Sequence, residues 1–122
     1  MYRLELAAPA APPFGDTAED RALAAFITQL VAMTTGVSAH EIEARTRRDA
    51  KSCSARQIAM YLAHIGCGWP LMRVAIAFGR DRSTASNACH RVEDLRDNPA
   101  FDAMLDACEA CVRAAPPPGM LG

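Results

Sequence analysis

Between residues 80 and 91 the chain reads RDRSTASNACHR. Three guanidiniums (Arg80, Arg82, Arg91), a carboxylate (Asp81), three hydroxyls (Ser83, Thr84, Ser86) and an amide (Asn87) sit there among small alanines. These groups suit recognition by hydrogen bonding. An arginine forks onto guanine O6 and N7, an asparagine onto adenine, Ser and Thr reach bases or phosphates, and Asp81 can accept from cytosine N4. They do not suit catalysis. Ser83 and His90, the nearest nucleophile and base, are seven residues apart, two turns of one helix. His40 and His64 have no partner pattern, and no paired carboxylates are spaced for acid–base work. Cys108-x-x-Cys111 has the spacing of half a zinc site but no second pair, so free thiols are expected. No G-x-x-x-x-G-K-[ST] loop occurs. The expectation is a chain that is no enzyme and takes no metal, nucleotide or other cofactor.

The net charge of −1 hides a separation of sign. From residue 45 to residue 91 there are nine basic residues and two acidic ones, so this stretch carries +7 and the rest of the chain −8. A one-sided excess in mid-chain is the footprint of a surface that meets a polyanion. No apolar run approaches the roughly 20 residues that span a bilayer, and the first fifteen residues lack a signal-peptide core. No membrane partner and a cytoplasmic, nucleoid-associated location are expected.

Helical periodicity supplies the elements that would position these groups. Apolar residues recur at helical spacing over 20–35, and Gly36 stops that helix. Ser38 and Glu41 form a capping-box pattern that opens a short helix to about residue 46. A basic linker over 47–51 follows. Ser54 or Ser52 can cap the next helix, which carries Ile58, Ala59, Leu62 and Ile65 and stops at Gly66 to Gly68. Pro70 suits a first turn. Leu71, Val74, Ala75 and Phe78 form the stripe of a short helix closed by Gly79, and Asp81 caps a helix over 82–95 with Ala85, Ala88, Cys89 and Val92 inward. Asn98-Pro99 breaks the chain before a last helix over 99–114. Trp69 is read as packing on the core, and Met33, Met60, Met72 and Met104 as core or gap-filling residues. The result is one all-α domain of about six helices over 20–114, between an Ala/Pro-rich arm (1–19) and a disordered tail (115–122). A short helix, a glycine turn and a longer helix with a polar first turn make a helix-turn-helix.

The run ARQIAMYLAHIGCGWPLMRVAIAFGRDRSTASNACHRV resembles the C-terminal DNA-binding domain, domain IV, of the bacterial replication initiator DnaA. In that family an R-Q-I-A-M-Y-L helix precedes a helix ending in F-G and then a signature close to G-R-D-H-T-T-V-x-x-A. The resemblance covers roughly residues 22–112. It implies a Trp-repressor-like helical fold that reads a short asymmetric duplex site as a monomer. It also implies that Arg56, in Arg56-Gln57, lies near the DNA backbone and that Arg80, Asp81, Ser83 and Thr84 contact bases and phosphates.

The chain departs from the family at informative positions. Arg82 stands where the family has histidine, Ala85 where it has valine, and Asn87 where histidine is common. Ser54 replaces an arginine that some members send into the minor groove, and Lys51 and Arg48 stand nearby as substitutes. A guanidinium gained at 82 and a methyl lost at 83 shift preference from thymine toward guanine. The expected DNA-binding set is therefore Arg48, Lys51, Arg56, Gln57, Arg80, Asp81, Arg82, Ser83, Thr84, Asn87 and Arg91. The expected function is sequence-specific double-stranded DNA binding by a transcription regulator without ATPase activity. Two alternatives stay open: a replication regulator competing for origin sites, and a protein-interaction module that has lost DNA binding, using the acidic last helix and Pro-rich tail.

Overall fold

The computed structural model describes residues 15–44 and 49–115. Among them the chain is all-helical, without strands: α1 (Thr17–Thr35), α2 (Ala39–Glu43), α3 (Ala50–Gly66), α4 (Leu71–Phe78), α5 (Arg82–Leu95) and α6 (Pro99–Arg113). The outer part of the expected arm, the loop residues 45–48 and all of the expected tail except Ala115 lie outside the described residues. The six expected helices are present, and three boundaries differ, the two N-terminal ones for a common reason. α1 starts three residues early because Asp16 accepts from the Glu19 amide and caps it. α2 ends at Glu43, with Ala44 extended. α3 is capped by Asp49, which accepts from the Ser52 amide at 2.8 Å, and by neither serine. Lys51 therefore lies in a helical first turn and not in a linker. Every helix except α4, whose N-cap Pro70 makes no side-chain bond, starts at the side chain that satisfies its free amides, not where apolar periodicity begins.

α3 is the axis of the molecule and packs against every other helix. Ala59, Met60, Tyr61, Leu62 and Ala63 on it are successive residues, each at most 1 % exposed, so every face of this turn is buried. Such burial on all sides marks a core helix. α5 lies on it through Ala85 and Ala88, whose small side chains let the two helix axes approach closely. Trp69 is buried, and His64 Nδ1 donates to its carbonyl at 2.6 Å, holding the loop between α3 and α4. Asp20 and Arg73 pair through two 2.9 Å contacts that tie α1 to α4, with the Arg73 guanidinium stacked 4.7 Å above the Trp69 ring. Of the methionines expected inside, Met60 is buried and Met104 partly so. Met33 is 82 % exposed and Met72 is exposed as well, because both fall on the outer faces of their helices.

Gly79 makes the helix-turn-helix corner. Its φ of 65° is left-handed, a conformation that a side chain disfavours. Its amide and that of Arg80 bond back into the last turn of α4. The chain then turns within residues 79–81 to start α5.

Candidate nucleic-acid interface

α5 begins at Asp81, whose Oδ1 accepts from the Thr84 amide at 2.9 Å and from the Ser83 hydroxyl at 3.2 Å. Hydrogen bonds from Thr84 and then Ser83 hold this exposed carboxyl below the usual carboxylate range. One oxygen of Asp81 is thus engaged in positioning the helix start. Beyond the cap, Ala85, Ala88, Cys89 and Val92 face inward, as their spacing predicts. Ser83, Asn87 and Arg91 recur every four residues on the exposed side. From Ser83 to Arg91 the helix rises about 12 Å at 1.5 Å per residue. That length matches the major groove's width of about 12 Å.

The expected residues fall into two groups. Lys51, Arg82, Asn87 and Arg91 are exposed and make no hydrogen bond or ion pair with any described residue. Gln57, half-buried, is uncommitted in the same way. It lines a cleft between α3 and α5 together with Cys53, Met60, Arg80, Thr84 and Asn87, so the two amides of Gln57 and Asn87 share one groove. These side chains are available to an incoming ligand.

The second group holds the frame. Arg56 is only 8 % exposed. Its Nε donates to the Ile42 carbonyl at 2.8 Å and its Nη2 to the Glu41 carbonyl at 3.2 Å, closing the C-terminal end of α2. Arg80 Nη2 donates to the Ala44 carbonyl at 2.7 Å. The two arginines, one from α3 and one from the corner before α5, grip the carbonyls of residues 41, 42 and 44. They fix the point where the basic segment 45–48 leaves, and Arg48 itself lies outside the described residues.

The far end of α5 carries a constellation that sequence reasoning missed. The Arg96 side chain is 2 % exposed and meets Asp102 at 2.5 Å, Asp106 and Glu109 on α6 and the Tyr61 hydroxyl on α3. The Tyr61 hydroxyl donates to Glu93 at 2.5 Å. Burial opposes the Arg96 charge, but the hydrogen bonds it donates to Glu109, Asp102 and Tyr61 outweigh burial and push the guanidinium pKa up. Burial likewise raises the Tyr61 hydroxyl. The signal was present as acids at 102, 106 and 109, one helix face. The acidic last helix, expected to offer a surface to a partner, turns these three carboxylates to Arg96.

The remaining chemistry is thin. The five cysteines are free, and burial lifts the Cys67 thiol to about 11, which keeps it protonated and weakly nucleophilic. Among the described residues no group of three or more His, Cys, Asp or Glu could hold a metal ion, and no helix is long and apolar enough to cross a membrane.

Comparison with known proteins agrees with this geometry. The family model described as "Bacterial dnaA protein helix-turn-helix" matches residues 24–92. The chain is similar to the chromosomal replication initiator protein DnaA of Pseudothermotoga lettingae, 34% identical over 79 residues, which are 63% of this chain and 18% of that protein. It is also similar to a crystal structure of a DNA replication initiation factor, with a TM-score of 0.68 and 28% identity over 78% of this chain and 29% of the other. The matched part is under a third of either relative.

Proposed function

The chain belongs to the bacterial dnaA helix-turn-helix family, a DNA-binding fold, and from that premise we propose that it reads double-stranded DNA sequence-specifically through α5 and acts as a transcription regulator. The observation that carries this is the set of uncommitted polar side chains, Arg82, Asn87 and Arg91 on α5 and Lys51 and Gln57 on α3, with Gln57 and Asn87 lining one cleft. Unpaired donors on a rigid helix are what base edges and phosphates require.

In this proposal Arg82 forks onto guanine, and Asn87 takes adenine with Gln57 beside it. Ser83 and Thr84 reach bases or phosphates at the groove edge, while Lys51, Arg91 and Arg48 neutralise phosphates. Arg56, Arg80 and Asp81 act mainly by holding α2, the basic segment and the start of α5 in register. The chain works without ATPase activity of its own, by occupying a site and blocking or recruiting other proteins there. The 122 residues carry no glycine-rich phosphate loop.

The relative's being a chromosomal replication initiator favours a second reading, competition for origin sites. A genome-wide occupancy map separates the two. Peaks at promoters support the regulator, and peaks confined to the origin support the competitor. Occupancy spread evenly over the genome contradicts both.

A further inference from the structure

A second cavity, of about 290 Å³, lies where α1, α2 and the helix-turn-helix corner meet and shares Arg56 and Arg80 with the α3–α5 cleft. Arg21, Arg56 and Arg80 line it, with Glu43 as its carboxylate and Phe78 on its apolar side. Arg56 donates to two backbone carbonyls, neutral acceptors that hold the guanidinium without cancelling its charge. Arg80 is held by the Ala44 carbonyl on the same wall. Arg21, in the second turn of α1, is exposed and makes no hydrogen bond or ion pair with any described residue; Glu43 makes none either. Three guanidiniums therefore surround a polar opening with a single carboxylate, and the two inner ones are fixed in place before any ligand arrives.

We propose that this cavity is a phosphoryl-anion site in which Arg56 and Arg80 supply fixed charge and Arg21 closes on the ligand. Fixed guanidiniums beside one mobile one suit a phosphate group, whose oxygens accept from several forks at once. The cavity is bounded by Gly79 and Arg80, the residues that lead into α5, so a backbone phosphate beside the groove is within its reach. A phosphate or pyrophosphate head of a free small molecule shares the same chemistry, and the volume sits at the lower end of small-ligand pockets. The backbone source rests on the DNA-binding reading above. It extends the footprint onto α1, outside the basic stretch 45–91.

The test compares wild type with Arg21→Ala and Arg21→Lys, in duplex titrations at 50 and 200 mM salt and in calorimetric titrations of DNA-free protein with pyrophosphate. If the source is the backbone, Arg21→Ala weakens every duplex alike and loses roughly threefold less affinity than wild type across that salt range, as one phosphate contact fewer requires. Arg21→Lys keeps most of the wild-type salt dependence. If the source is a free anion, pyrophosphate binds wild type and not Arg21→Ala, with duplex affinity unchanged. The proposal is overturned if Arg21→Ala matches wild type for both ligands. A wild type that binds no duplex defeats the DNA reading, and the pyrophosphate arm then decides the cavity alone.

Discussion

α5 has two unlike ends. Over its first ten residues, the polar side chains Arg82, Asn87 and Arg91 reach solvent with nothing to bind among the described residues. At its finish, Arg96 is enclosed by Asp102, Asp106, Glu109 and Tyr61. Both ends are rich in charge, yet only the second uses it for the fold. A buried guanidinium must be fully paired or it destabilises the protein, whereas an exposed one left alone costs the fold little. In the proposed function the uncommitted end meets the ligand, while the committed end anchors the helix on α3 and α6.

Substitutions at the two ends should separate stability from binding. The largest effect is expected at Arg96. Arg96→Ala removes the buried partner of Glu109, leaving it only Arg113 at 3.3 Å, and should lower stability by about 3–5 kcal/mol, seen as an earlier thermal transition. Duplex affinity measured well below that transition should hold near wild type. Next comes Arg82→Ala, which should leave the transition unchanged and cost roughly 1–3 kcal/mol of discrimination at one base pair. A smaller, sequence-independent loss is expected for Arg91→Ala, with the log–log salt slope reduced by about 0.9.

The weakest expected effect sharpens the comparison within the first end, because Asp81 positions the helix while its neighbours stay free. Its carboxyl titrates lower in the folded protein than in the unfolded chain. The stability it contributes is therefore present above the ordinary carboxylate range near pH 4 and lost as pH falls through the lower folded value. The difference in thermal transition between wild type and Asp81→Ala should be constant near neutrality and shrink below about pH 4. A difference that grows on acidification would mean that Asp81 does not act as an ionised cap.

How legible these ends were depended on the range of the interactions. The bounds of α5 and its inward stripe followed from local punctuation, Gly79 and Asp81 before it and Asn98-Pro99 after it. The start of α3 did not, because Asp49 lies within a basic run that reads as linker while its side chain caps the helix. The roles of Arg56 and Arg96 were hidden for a different reason. An arginine in a basic stretch looks like a phosphate contact until tertiary structure brings the Ile42 carbonyl to 2.8 Å from it. Arg96 stands in an acidic region, and nothing short of the α5–α6 packing shows that those acids converge on it. Met33 shows the converse, an apolar residue at helical spacing that no neighbour covers. Patterning along the chain reports which face is inner; it does not report which polar groups are already engaged.

Selection of bound duplexes from a random pool, run in parallel on wild type and Arg82→Ala at one fixed salt concentration, tests most directly that the uncommitted end of α5 reads sequence. The predicted result is a short asymmetric motif for wild type that contains a guanine position, and for the variant the same motif with that position degenerate. An unenriched wild-type pool, or identical motifs from both proteins, would contradict the assignment of α5 from Arg82 onward as the reading surface.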